Sequence, residues 1–139
     1  MKFHISFLLI ISTSILLVSS CKKDNSTPQK SVREMITSHS WIHTSSLSSG
    51  VEQLSDCEKD NVVTFSSNGI YLVTPGVIKC STNDQNLVGT WILSSDNKTI
   101  SGVEENEPYS STISEISENK LVLTMLMGTE TFIDTLIYN

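Results

Sequence analysis

The chain is short of positive charge and has no basic run along its 139 residues. It contains 9 Lys and Arg against 15 Asp and Glu, which gives a formal net charge of −6. Nucleic acids and anionic lipid headgroups attract proteins through clustered basic side chains. The composition therefore excludes electrostatic binding to nucleic acid as the function of this protein.

The sequence also lacks the motifs of common catalytic and metal sites. It has no Gly-x-Ser-x-Gly motif and no glycine-rich loop for phosphate. His39 and His43 stand four residues apart without a third ligand, so packed or surface histidines are the simpler interpretation. Glu104, Glu105 and Glu107 lack the spacing of a calcium loop and are interpreted as a solvated acidic turn. We expect a protein that is not an enzyme and that holds no metal or cofactor.

An apolar run occupies Phe7 to Val18 and gives way to polar sequence. It is too short for a permanent transmembrane helix and is typical of a signal peptide. It ends in Leu17-Val18-Ser19-Ser20-Cys21, which resembles the lipobox of bacterial lipoproteins, whose cysteine is acylated. We predict a signal peptide over residues 1–20 and a lipidated Cys21 that begins a flexible tether over 21–30. An ordinary secretory signal with an incidental cysteine is the alternative.

Only three cysteines occur in the sequence. With Cys21 lipidated, Cys57 and Cys80 remain as an even pair in an oxidising envelope compartment, where a disulfide is the default. We therefore predict a Cys57–Cys80 disulfide.

The segment between these two cysteines has the pattern of a β-hairpin. Runs rich in β-branched and aromatic residues at 61–65 and 69–74 flank a turn that ends in Asn68-Gly69. A pairing of Phe65 with Ile70 and a bulge at Pro75-Gly76, with strand continuing over 77–81, would bring the two sulfurs together.

Turn signals recur every eight to twelve residues along the rest of the chain, which indicates an antiparallel meander. A Ser-x-x-Glu capping box at Ser31 begins a short helix over 32–38. Further strands are predicted at 41–47, 89–94, 99–103, 109–116, 120–127 and 130–138. The fold class is all-β, an antiparallel up-and-down barrel of about eight strands with a short N-terminal helix, over residues 31–139.

Two strands carry additional expectations. The alternation in the first strand places Trp41, His43, Ser45 and Leu47 on one face. Strand 120–127 is apolar on both faces, which predicts that one face looks into the barrel and the other is covered, for example by the N-terminal helix.

The order of short motifs resembles the lipocalin-like domains of small lipoproteins from Bacteroidetes-type bacteria, over about residues 31 to 139. A Gly often precedes the first Trp in such domains, and His39 stands there instead. The resemblance implies a barrel and suggests that it binds a small apolar molecule. The matching residues are Trp41, Cys57 to Asp60, Val63 to Phe65, Asn68 to Tyr71, Cys80, Gly89 to Leu93, Asp96 to Ile100 and Leu121 to Thr124.

An aromatic and apolar set would line the interior of such a barrel. It would either surround a small apolar guest or fill the core completely. The predicted lining residues are Trp41, Val63, Phe65, Tyr71, Trp91, Leu93, Leu123 and Met125.

Two functions are therefore open. The first is a monomeric cell-envelope lipoprotein of the outer membrane, on its periplasmic face or the cell surface, that binds a small hydrophobic molecule. The second is a filled barrel that docks another envelope protein through the segments 104–108 or 44–50. In addition, Asp134-Thr135-Leu136 resembles the O-glycosylation motif of these bacteria, although it falls inside a predicted strand.

Overall fold

The structure, a computed structural model, describes residues 28–139. The predicted signal peptide, Cys21 and most of the predicted tether lie outside the described residues. Within residues 28–139 no helix is long and apolar enough to cross a membrane. The elements are α1 (Val32–Thr37), β1 (Trp41–Ser48), β2 (Val51–Glu52), β3 (Val62–Phe65), β4 (Ile70–Thr74), β5 (Leu87–Leu93), β6 (Thr99–Glu104), β7 (Glu107–Ile116), β8 (Lys120–Met127) and β9 (Glu130–Tyr138).

Eight of the strands form a closed antiparallel barrel. Each strand from β3 to β8 pairs with the next, β1 pairs with β3, and β9 pairs with β1. This last pairing runs from Trp41 opposite Tyr138 to Ser48 opposite Phe132 and closes the sheet on itself. The two-residue strand β2 forms a hairpin on β1. The predicted up-and-down barrel is confirmed, and closure leaves no long unpaired strand edge.

The short helix α1 begins with the predicted capping box. The backbone N–H of Glu34 donates to the Ser31 hydroxyl at 3.2 Å, and the Glu34 carboxylate accepts from the Ser31 backbone at 2.7 Å. These bonds satisfy N–H groups that would otherwise be unpaired at a helix N-terminus. A two-turn helix still needs tertiary contacts to persist.

Contacts with the barrel core hold α1 at one end of the barrel. Ile36 is fully buried, and its carbonyl accepts a 3.0 Å hydrogen bond from the indole N–H of Trp41. The Arg33 guanidinium lies 4.7 Å from the ring centroid of Trp91. The helix therefore closes one end instead of covering the outer face of β8, where Leu126 remains exposed.

A bulge between His43 and Ser45 changes the face pattern of β1. The extra residue shifts the alternation by one, so Ser46 and Ser48 are buried in the second half of the strand. The prediction that Ser45 and Leu47 share a face with Trp41 is wrong for this reason.

The β3–β4 hairpin differs from the prediction in register. Phe65 pairs with Tyr71, not Ile70, because the backbone N–H of Ser66 donates to the Ile70 carbonyl and lengthens the turn. The predicted continuation of strand over 77–81 is wrong, since β4 ends at Thr74 and turns follow.

Cys57 and Cys80 nevertheless form the predicted disulfide, with their Cα atoms 5.2 Å apart. The bond joins two loops and does not cross a strand pair. The Asp60 carboxylate in the first loop accepts from the backbone N–H of Ile78 in the second at 2.9 Å.

The predicted docking segment 44–50 and the predicted glycosylation motif at Thr135 both fall on strands. Residues 44–48 belong to β1, so the predicted docking segment 44–50 is mostly strand. Thr135 lies within β9, opposite Ser45 on one side and Val122 on the other.

Candidate functional site

The end of the barrel opposite α1 is open and leads into a cavity of about 780 Å³. Its walls come from all eight strands of the barrel, β1 and β3 to β9, and from the loop between β2 and β3. The barrel interior is therefore not filled by its own side chains. This finding removes the completely filled core as an interpretation of the aromatic set.

Five of the eight predicted lining residues contact the cavity, namely Val63, Phe65, Tyr71, Leu123 and Met125. They lie on the inward faces of β3, β4 and β8. Alternation along strands is the property that made them recognisable in the sequence.

The other three predicted lining residues lie below the cavity, in the closed half of the barrel. Trp41 and Trp91 are almost fully buried there. The indole N–H of Trp91 donates to the Ser66 carbonyl at 2.9 Å, and that of Trp41 bonds to α1. A buried indole needs such a partner, and these bonds fix both rings in the core away from a guest. Leu93 packs against the same core.

Two tyrosine rings lie against glycines in the cavity wall. Tyr71 pairs with Gly89, and Tyr109 pairs with Gly102. A Cβ atom on Gly89 would stand 3.4 Å from the Tyr71 ring and 2.5 Å from a backbone carbonyl oxygen, while one on Gly102 would stand 2.9 Å from the Tyr109 ring. These glycines therefore leave space for the rings to lie across the sheet.

The Tyr109 hydroxyl is held in place by a 3.1 Å hydrogen bond to the Thr90 carbonyl. The ring centroids of Tyr71 and Tyr109 are 5.9 Å apart, and Phe65 lies 5.2 Å from Tyr71 on the other side. Burial raises the pKa of the Tyr109 hydroxyl to about 12. The three aromatic rings thus form one continuous wall.

Glu104 brings a carboxylate to the same wall. In the sheet, Gly89 stands between Tyr71 and Glu104, so these two side chains are next-but-one neighbours on the inward face. Burial raises the pKa of Glu104, and the charge of Glu105 raises it further. Burial raises the pKa of the Tyr71 hydroxyl, and the charge of Glu104 adds to that rise.

The predicted solvated loop 104–108 is instead a tight hairpin. Glu104 pairs with Glu107, and only Glu105 and Asn106 separate the two strands. Both turn residues have positive φ, 49° and 72°, as a type I′ turn requires. The interpretation as a solvated acidic turn is wrong for Glu104, because the hairpin carries it into the cavity mouth, where it is half-buried.

A second polar group faces the cavity from β1 and β9. His43 Nε2 lies 3.5 Å from Asp134 Oδ1, an ion-pair distance when the imidazole is protonated. Among the described residues this nitrogen has no hydrogen-bond partner, because the contact lacks hydrogen-bond geometry. Glu58 approaches from the loop after β2; its pKa is lowered first by Ser55, whose hydroxyl donates at 2.6 Å, and in smaller part by His43.

None of the cavity-lining residues that the structure describes is a lysine or an arginine. Within residues 28–139, no three His, Cys, Asp or Glu side chains converge in a way that could hold a metal ion.

Sequence reasoning missed the polar part of the cavity: His43, Glu58, Glu104, Tyr109, Ser111 and Asp134. The sequence offers a signal for three of them, Glu104, Tyr109 and Ser111. Glu104 lies an even number of residues after the inward-facing Ile100 in β6, and Tyr109 and Ser111 alternate in the same way in β7. The approach of His43 to Asp134 joins strands from opposite ends of the chain, and no local pattern reports it.

A closed eight-stranded barrel with one end plugged and the other open to an apolar and aromatic cup defines the class of small-molecule-binding barrels. Residues 37–123 match the model of the lipocalin-like domain family, and this is more than half of the chain. The chain belongs to the lipocalin-like domain family, as the motif order predicted. No curated protein matches it.

Proposed function

We propose that the protein is a lipid-anchored protein of the cell envelope whose barrel cavity reversibly binds a small hydrophobic molecule. The observation that carries the binding role is the open cavity of about 780 Å³. This volume falls in the range of ligand sites, which are mostly apolar with a few placed polar groups. The lining of Phe65, Leu123 and Met125 beside Glu104 has this composition.

The free energy of binding should scale with the apolar ligand area that the cavity buries. Apolar ligand surface removed from water contributes about 25 cal/mol per Å². A guest that buries roughly 300 Å² would thus contribute about 7.5 kcal/mol before the costs of association are subtracted. The cavity walls are strands of a closed sheet, so little of that gain is spent on ordering the site.

The binding role is proposed without catalysis. The family is generally a binding fold, and the sequence contains no motif that joins a nucleophile to a base.

The envelope location is supported by the sequence Leu17-Val18-Ser19-Ser20-Cys21. The disulfide agrees with an oxidising compartment, since such bonds are rare where thiols are kept reduced. Replacement of Cys21 by Ala should release the protein from the membrane fraction of its own cells. A Cys21→Ala protein that still sediments with outer membranes would contradict the anchor.

The binding role is tested with a matched pair of variants on β7. Ser111 is buried and lines the cavity, whereas its neighbour Thr112 is exposed on the outer face. Ser111→Phe should fill part of the cavity, and Thr112→Phe should leave it open. The probe is the neutral fluorophore N-phenyl-1-naphthylamine, titrated into the full chain.

We expect Ser111→Phe to weaken probe binding at least tenfold and Thr112→Phe to leave it unchanged. Thermal unfolding of both variants checks that each is folded. Equal probe binding by Ser111→Phe and the unmodified protein would show that the probe does not occupy the cavity.

A further inference from the structure

The ionisable side chains that line the cavity are almost all acidic. Carboxylates reach it from several elements, and among the described lining residues His43 is the only side chain that can carry a positive charge. Carboxylates that face an apolar enclosure lose water and gain little unless a cation joins them. The five acidic lining residues are Glu58, Glu104, Glu105, Glu107 and Asp134.

Glu58, Glu104 and Asp134 are the partly buried carboxylates of this set, and Glu104 is the one that no cation neutralises among the described residues, its hydrogen-bonding neighbour being the Tyr71 hydroxyl. Asp134 faces His43 at 3.5 Å, and Glu58 accepts hydrogen bonds from Ser55. Among residues 28–139, no lysine, arginine or histidine forms an ion pair with Glu104. Burial and the charge of Glu105 raise its pKa, and the hydrogen bond with the Tyr71 hydroxyl offsets part of that rise.

Two tyrosine rings lie beside the same position. Tyr71 stands beside Glu104 across Gly89, and Tyr109 follows on the next inward row beside Gly102. Faces of tyrosine rings attract cations, and the attraction is greatest where water is excluded. A carboxylate beside two tyrosine rings at the mouth of an apolar cup is complementary to an ammonium group on an apolar body.

We propose that the cavity selects a small apolar molecule that carries a positively charged amine, with the amine held by the Glu104 carboxylate beside Tyr71 and the apolar body extending towards Phe65 and Leu123. This inference rests on the proposed binding function and specifies the ligand class of that site. The hydrophobic part supplies the attraction common to all guests, and the carboxylate selects among them.

Three probes with the same eight-carbon chain test the charge: octylamine, 1-octanol and octanoate. Each is titrated into the full chain near pH 7, where the amine is cationic and the acid anionic, and displacement of N-phenyl-1-naphthylamine is measured. Hydrogen bonds to charged groups are the stronger class, so we expect octylamine to bind about tenfold or more tightly than 1-octanol. Octanoate should bind most weakly because the lining repels it.

Glu104→Gln and Glu115→Gln form the matched pair of variants. Both remove one negative charge, but Glu115 lies outside the cavity, where it accepts from Lys120 at 2.8 Å. Glu104→Gln should weaken octylamine binding about tenfold and leave 1-octanol unchanged. Glu115→Gln should change neither.

The outcomes separate the two claims. If all three probes bind equally, or if Glu104→Gln weakens octylamine and 1-octanol alike, the amine selectivity is wrong and the binding function stands. If octanoate binds best, the charge argument is wrong. If none of the three probes displaces the fluorophore and the fluorophore itself does not bind, both the binding function and the inference fail.

Discussion

Reduction of the Cys57–Cys80 disulfide should lower the stability of the barrel without opening it. The bond ties the loop after β2 to the loop after β4. The hydrogen bond that the backbone N–H of Ile78 donates to the Asp60 carboxylate at 2.9 Å joins the same loops without a covalent bond. Gly76 donates a further backbone hydrogen bond to the Asn61 side chain at 3.1 Å. Because these contacts survive reduction, the folded state should keep its shape.

The main effect should therefore arise in the unfolded chain. The two cysteines are separated by 23 positions in sequence. Closing a loop of this length removes unfolded-state entropy worth about 3 kcal/mol. For a domain of this size, 1 kcal/mol corresponds to a shift in melting temperature of about 4 °C. We expect reduction to lower the melting temperature by about 12 °C.

The assay is thermal unfolding of the full chain, followed by circular dichroism with and without a phosphine reductant. The double variant Cys57→Ser with Cys80→Ser is the control, and its melting temperature should equal that of the reduced protein and ignore the reductant. A shift of less than 2 °C, with mass mapping that shows both thiols freed, would refute the entropic argument. Free thiols at both positions before reduction would refute the pairing itself.

Three further substitutions test the fold around the cavity. Ile36→Ala should lower the free energy of unfolding by about 2–5 kcal/mol, because the Ile36 side chain is fully buried. Chemical denaturation measures this loss, and a loss below about 1 kcal/mol would show that α1 is not part of the core. Hydrogen bonds, first that from the Ser46 backbone, lower the pKa of Glu52 from 4.5 to about 2, so its carboxylate stabilises the fold above pH 4.5 and this contribution is lost as the pH falls towards 2. In Glu52→Gln, the free energy of unfolding should fall less steeply as the pH is lowered from 4.5 towards 2. An equally steep fall would contradict the stabilising role of the Glu52 carboxylate. Gly102→Ala would place a Cβ against a backbone carbonyl and 2.9 Å from the Tyr109 ring, so it should lower both the melting temperature and fluorophore binding, and unchanged values would show that the sheet accommodates it.

Local patterns were sufficient to predict the eight strands of the barrel, but not the two-residue strand β2 or the end of β4 at Thr74. The predicted strand 120–127 coincides with β8, and the 130–138 strand coincides with β9. The predicted capping box at Ser31 is present. It could be predicted because it depends on only two residues, three positions apart. Where a feature is decided within one turn or one strand, the residue pattern carries it.

Features that depend on one extra residue were not predictable. The bulge after His43 has no glycine or proline to mark it. The turn at Glu105 and Asn106 places a glutamate at positive φ, a conformation that glutamate seldom adopts. The residue pattern of the acidic segment is therefore that of a loop, and it does not indicate that Glu104 enters the cavity.

The lining of the cavity depends on contacts between distant parts of the chain. His43 and Asp134 meet only because β9 closes the barrel onto β1. The two tryptophans have the size and apolarity expected of a ligand wall, yet their indole hydrogen bonds hold them in the closed half. Alternation along a strand shows which side chains face the barrel interior. It does not show how far along the barrel axis a side chain lies, and this distance decides whether the side chain lines the cavity or belongs to the core.

Native mass spectrometry of the full chain, purified gently from its own cells, shows whether the barrel cavity holds a small molecule. We expect a reproducible additional mass that disappears on solvent extraction, and a new adduct with the mass of octylamine when that probe is added to the extracted protein. A bare mass that no apolar probe increases would contradict the claim that the barrel cavity is a binding site.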